Sequence, residues 1–299
     1  MAGARLARRL IALFGAGGAR ALPMPISPSK SLAFERAAAR ASERPVVVLA
    51  RPFDPGNVGQ VARAMLNFGL TELRVVSPAS TEWRGADAET RACGAIPVLE
   101  SAREYDHMRD AVADLSTVYA TTARLRDAFG PDEVLSPSGA AHGARERLCR
   151  GERVGFLFGS EKNGLDNAEL EYAHALVTVP TEPGFSSLNL AQAVLLLAYE
   201  WSATAADAAP TPPAPTPADV DARGAPLGQV SSMLDWWEDA LWTSGFLRAD
   251  GPAGAERSRA EAAMTKLRRL VVRAAPTEGE ASLLRGALRA LVEPKKYLP

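Results

Sequence analysis

The sequence predicts an α/β protein followed by a small α-helical domain, and three observations carry that prediction. Short β-branched or continuously apolar runs, Pro45 to Ala50, Thr117 to Ala120, Val154 to Phe158 and Leu176 to Val179, each end in a loop of small or polar residues. Segments with helical spacing follow those loops, so the chain reads as strand, loop and helix in alternation. Near residue 202 the composition collapses to Ala, Thr, Asp and the prolines Pro210, Pro212, Pro213, Pro215 and Pro217, and helical periodicity then returns.

The first unit organises the rest. In RPFDPGNVGQVARAMLNFGLTELRVVSP, Arg51 to Pro78, the residues Pro52, Asp54, Pro55 and Gly56 break a strand, and Asn57 is placed to cap a helix from about Val58. Val58, Val61, Ala62, Met65 and Gly69 recur on one helix face, while Gln60, Arg63 and Asn67 share another. Taken alone, Arg63 reads equally well as one residue of a solvated face.

Beyond this unit, Ser80 to Gly94 reads as polar and turn-rich, Pro97 to Glu100 as a short strand, and Ala102 to Asp114 as a helix. Thr121, Thr122, Ala123 and Arg124 then close a strand with small side chains, either as a capped turn or as a place where a ligand approaches closely. Pro137 to Arg150 reads as a helix, and GSEKNG, Gly159 to Gly164, closes the next strand. It has neither the Lys-Ser/Thr pair of a phosphate loop nor dinucleotide glycine spacing, and Glu161 in it reads as either a working or a solvated carboxylate. Ser187 or Asn189 is placed to cap the helix Leu190 to Trp201, whose apolar character requires burial against a sheet or a second subunit.

The domain division expected from these signals is a basic, disordered extension over 1–40, an α/β domain over 41–202, a linker over 203–224 and a helical domain over 225–299. In the last of these Leu234, Trp237, Leu241, Leu267, Leu270, Leu284 and Leu288 are candidate core, and Arg257, Arg259, Lys266, Arg268, Arg269 and Arg273 form either a solvated face or a phosphate-contacting patch. With 299 residues the chain is long enough for a sizeable core plus a smaller domain. A formal net charge of −1 excludes a bulk basic field, so any nucleic-acid contact must be local. Cys93 and Cys149 are too few for a disulfide scaffold and lack metal-site spacing, so no metal and a reducing, cytoplasmic compartment are expected. The first thirty residues carry Arg5, Arg8, Arg9, Arg20 and Lys30 without an acid, as a transit peptide would, but Leu10 to Phe14 is too short for a membrane span or a signal core.

Three stretches together resemble the SPOUT superfamily of RNA methyltransferases, in particular its TrmH/TrmJ-like 2′-O-methyltransferases. They are PGNVGQVARAMLNFGL (Pro55 to Leu70), FLFGSEKNGLDNAEL (Phe156 to Leu170) and VPTEPGFSSLNLAQAVLLLAYE (Val179 to Glu200). The run YATTARLRD from Tyr119, with the tail segments WWEDALWTSGF and SLLRGALRAL, looks like the TrmJ subgroup, whose substrate is the tRNA anticodon loop.

The resemblance implies a parallel sheet with flanking helices whose C-terminal part threads a trefoil knot, with S-adenosylmethionine bound there. By position it places the cofactor at Thr121, Thr122, Ala123, Gly159, Gly164, Val179, Ser186, Ser187 and Leu188, and the catalytic set at Asn57, Arg63, Glu161, Ser187 and Asn189. It also implies a homodimer with the active site at the subunit interface, and methylation of a tRNA cytidine or uridine at the first nucleotide of the anticodon loop. Another tRNA or rRNA site, or a knotted RNA-binding protein without turnover, would use the same motifs.

Overall fold

The computed structural model describes residues 28–123, 134–182, 184–204, 222–247 and 253–292. The basic segment 1–27, Arg124 after the strand end Thr121 to Ala123, and the proline run lie outside them. Seven strands form one parallel sheet: β1 Val46–Ala50, β2 Leu73–Val76, β3 Arg103–Tyr105, β4 Thr117–Thr121, β5 Val134–Leu135, β6 Val154–Phe158 and β7 Ala175–Val177. Their spatial order is β3-β2-β1-β6-β4-β7-β5, and every pairing is parallel, with Val47 opposite Phe156 and Tyr119 opposite both Phe156 and Ala175. The helices are α1 Pro28–Ala38, α2 Pro55–Asn67, α3 Ala86–Ala92, α4 Ile96–Ser101, α5 Met108–Ala111, α6 Pro137–Cys149, α7 Leu190–Ala203, α8 Leu227–Ser244, α9 Ala253–Ala274 and α10 Glu278–Val292.

The two-residue period of a strand sorts β1 onto both faces of the sheet. Val47 and Leu49 join Val75, Phe156, Phe158 and Val177 under α2, α3, α6 and α7. Val46, Val48 and Ala50 join Val118, Leu157 and Leu176 on the other side, where Leu227, Val230, Met233 and Leu234 of α8, Val271 and Val272 of α9 and Ala281 of α10 complete the same cluster. The start of α8 is also stitched to the segment that leads into β4, with Leu227 N donating to Leu115 O at 2.8 Å and Gly228 N to Ala113 O at 2.9 Å. The helical periodicity of the C-terminal part is realised in α8, α9 and α10, and they share the sheet's core.

Several local expectations are corrected. Pro97 to Glu100 lies in a helix, α4, because a proline in the first turn fits a helix start as well as a strand. Ala102 to Asp114 contains strand β3 and the single turn α5, since an edge strand with exposed Arg103 and Glu104 carries no apolar signature. Ser80 to Gly94 includes helix α3. Leu270 and Leu284 are exposed and do not belong to the core. Arg268 is paired with Glu171 and Asp235, and Arg269 donates to Asn167 O, so these two arginines of the basic run hold α9 against α8 and the segment between β6 and β7.

At the amino ends of the strands, Arg74 is buried and donates to Glu72, to Asp114 and to Ala111 O, the last at 2.6 Å, while Arg153 adds a second cation on Glu72 at 2.7 Å. Burial pushes both carboxyls up, and the hydrogen bonds and charges of Arg74 and Arg153 outweigh it, leaving Glu72 and Asp114 below their ordinary values.

Candidate active site

The helix after β1 begins earlier than its apolar spacing suggests. Asp54, not Asn57, is its N-cap, its side chain accepting from Gly56 N at 2.8 Å with Pro55 in the first turn. Asn57 is therefore free for another task. Its Nδ2 donates to Glu161 Oε1 at 3.0 Å, and its Oδ1 accepts from Asn189 Nδ2 at 2.9 Å.

Each end of this chain is itself anchored. Glu161 also accepts from Phe53 N at 2.8 Å and from Asp54 N at 3.3 Å. Asn189 caps α7, accepting from Ala191 N while its own amide donates to Gln192 Oε1. Thus β1's exit loop, the loop after β6 and the start of α7 meet through Glu161, Asn57 and Asn189.

Beside this network lies a cleft of about 300 Å³ at the carboxyl ends of β4, β6 and β7. All of Thr121, Thr122, Ala123, Gly159, Gly164, Val179, Ser186, Ser187 and Leu188 line it, as does Glu161. The sequence reading missed Phe158, Ser160, Lys162, Asn163, Leu165, Val177, Leu190 and Ala193, which also line it. For Phe158 and Val177, the terminal residues of their strands, the strand-end rule was the available signal.

Two glycines shape the wall. A Cβ on Gly159 would lie 2.3 Å from both Gly164 C and Leu165 N, and Gly164 itself has φ +66° with open space where a Cβ would be. The loop is tied down from β1: Arg51, with φ +48°, donates from Nε and Nη2 to the two oxygens of Glu169 at 2.8 Å each and from Nη2 to Gly164 O at 3.3 Å. No sequence pattern pointed to Arg51, because neither its backbone conformation nor its distant partner leaves a local signature.

Arg63 is not brought into the network. It lies on the exposed side of α2, six residues and roughly 9 Å of helix rise beyond Asn57. Among the described residues it has no hydrogen bond or ion pair. Ser187 lines the cleft without joining the three-residue chain. Among the described residues no three His, Cys, Asp or Glu side chains cluster as metal ligands, and no helix is long and apolar enough to cross a membrane.

Residues 44–199 match the model of the SpoU rRNA Methylase family. The chain is 34% identical over 259 residues to the tRNA (cytidine/uridine-2'-O-)-methyltransferase TrmJ of Klebsiella pneumoniae, covering 84% of this chain and 97% of that one. It is 34% identical over 246 residues to the tRNA (cytidine/uridine/adenosine-2'-O-)-methyltransferase TrmJ of Pseudomonas aeruginosa, covering 81% and 91%. Among solved structures, TrmJ from Z. mobilis ZM4 superposes with a TM-score of 0.68 at 36% identity, over 83% of this chain and 99% of that one.

Proposed function

The chain belongs to the SpoU rRNA methylase family, and on that premise we propose that it methylates a ribose 2′-hydroxyl of tRNA using S-adenosylmethionine. The observation that carries the reading is the contact between the glycine-walled cleft and the Glu161–Asn57–Asn189 chain.

The cleft fits such a cofactor. Its lining offers glycine backbone, small hydroxyls, the apolar walls Val179 and Leu188, one carboxylate, and among the described residues a single cation, Lys162. That set suits a nucleoside carrying an amino acid and gives no cradle for phosphates. When bound, S-adenosylmethionine supplies an electrophilic methyl group on a sulfonium. Thr121, Gly159, Gly164, Val179 and Leu188 would hold it through backbone groups and apolar contact.

The protein's own part is positioning. Glu161, fixed by three donors, and Asn57 and Asn189, locked to each other, present a preorganised polar edge that orients a ribose. Ser187 adds a hydroxyl at the cleft. A guanidinium is a donor without an acceptor, so Arg63 serves as a phosphate clamp and as a stabiliser of charge developing on the 2′-oxygen, not as a base.

We read the assembly as a homodimer in which Arg63 serves the partner's cleft. Supporting this, Arg63 is exposed and outside its own network, and α7 leaves Leu195, Leu196 and Tyr199 38–54% exposed. The trefoil knot in the C-terminal part of the sheet, the cytoplasmic location and the anticodon-loop target belong to the same reading and are supported by the resemblance to the TrmJ proteins. The test is transfer of tritium from labelled S-adenosylmethionine to transcribed tRNA, followed by nuclease digestion. A labelled 2′-O-methylnucleoside is expected, and label on a base alone overturns the reading.

A further inference from the structure

Between β1 and α2 the chain runs Arg51, Pro52, Phe53, Asp54 and Pro55, and this segment is tied down at each step. Arg51 N donates to Val76 O at 2.8 Å, Pro52 O accepts from Ala79 N at 3.0 Å, the amides of Phe53 and Asp54 donate to Glu161, and Asp54 caps α2. Two prolines further restrict its φ angles. The Phe53 ring is the exception: it is 48% exposed and belongs to none of the hydrophobic clusters among the described residues. Lys162, a residue of the cleft wall, sets its ammonium 3.3 Å from the centroid of this ring.

A rigidly mounted, water-exposed aromatic forgoes the stabilisation of burial, and it presents a flat face with little further ordering required on binding. Its backbone amide is 2.8 Å from the carboxylate of Glu161, so the main chain that carries the ring is fixed next to the edge read above as the ribose holder. A π face beside an ammonium suits a nucleotide: the base stacks on the ring and a phosphate approaches the cation. We propose that Phe53, with Lys162 beside it, is the stacking platform for an unpaired nucleobase of the RNA next to the reacting ribose. The proposal rests on the ribose-methylation reading and adds a base-binding position to it.

Stacking on an aromatic side chain corresponds to about a five- to 150-fold change in affinity per base. The test uses the full chain, tritiated S-adenosylmethionine and a transcribed tRNA mixture, with Phe53→Ala, Phe53→Leu and Phe53→Tyr. S-adenosylhomocysteine binding is measured by calorimetry and mass by light scattering. The platform predicts that Ala and Leu raise KM for tRNA at least five-fold, that Tyr stays within about three-fold of wild type, and that S-adenosylhomocysteine affinity is unchanged in all three. It is overturned if Phe53→Leu keeps the wild-type KM, or if the KM follows a loss of dimer, which would mean that a second copy covers the ring. Wild-type protein that transfers no methyl group overturns the functional reading itself, whereas an active wild type with an indifferent Phe53→Leu overturns the platform alone.

Discussion

Arg51 and Glu169 face each other across 118 residues of sequence, with two nitrogens of one guanidinium each 2.8 Å from a different oxygen of one carboxylate. Glu169 is the more buried partner, its side chain only 9% exposed. Arg51→Ala therefore strands a carboxylate whose remaining support is the amide of Asp166. We expect a loss of about 2 kcal/mol in chemical denaturation and weaker S-adenosylhomocysteine binding. Arg51→Lys should recover only part of it, because an ammonium cannot reproduce the two-pronged geometry.

Arg63→Ala separates function from folding. The side chain is exposed and has no partner among the described residues, so the melting temperature should move by no more than about 1 °C. Methyl transfer should fall at least about 100-fold in the tritium assay. If the site is shared, mixing Arg63→Ala with a cleft-blocked variant should restore activity in the heterodimer.

Gly159 and Gly286 should respond to alanine in opposite directions. At Gly159 the added methyl meets backbone at 2.3 Å, so Gly159→Ala should lower the melting temperature and weaken S-adenosylhomocysteine binding at least about tenfold. Gly286 sits in α10 with open space around it, and Gly286→Ala should add about 0.5–1 kcal/mol to stability by helix propensity alone.

Acid should weaken the amino edge of the sheet. Glu72 and Asp114 titrate below their ordinary values in the folded chain, so their contribution is complete above the unfolded-state values, about pH 4. It is lost as pH falls further, through the lower folded values. Denaturant midpoints measured from pH 6 to pH 3 should drop across that window, and Asp114→Asn should flatten the drop while costing about 1–2 kcal/mol at neutral pH, because Arg74 loses one of its acceptors.

Deleting residues after 204 should give an aggregating or unfolded product. Leu227, Val230, Met233 and Leu234 fill the sheet face formed by Val46, Val48 and Val118. Analytical gel filtration of the truncated chain distinguishes this from a stable α/β core.

The candidate site was legible in the sequence to the extent that its residues sit where strands end. Thr121, Gly159 and Glu161 follow apolar runs that announce themselves, and Asn57 and Asn189 open helices with clear periodicity. Edge elements were not legible: β3 exposes Arg103 and Glu104, and β5 has two residues, so neither shows burial in its composition. Asn57 was read as a cap because Asp and Asn compete for that role three residues apart, and only the hydrogen bond to Gly56 decides it. Exposed Leu283, Leu284 and Leu291 make α10 look core-forming although only Ala281 in it is buried.

The filling of both sheet faces from opposite ends of the chain sets an order of events during synthesis. β1 leaves the ribosome early, its neighbour β6 about a hundred residues later, and α8, which covers its second face, later still. At about 5–20 residues per second the nascent strand waits on the order of ten seconds or more with Val46 and Val48 uncovered. Over that interval the unfinished sheet is a target for chaperones, and a ribosome stalled between β6 and α8 would display an apolar surface that the finished protein never shows.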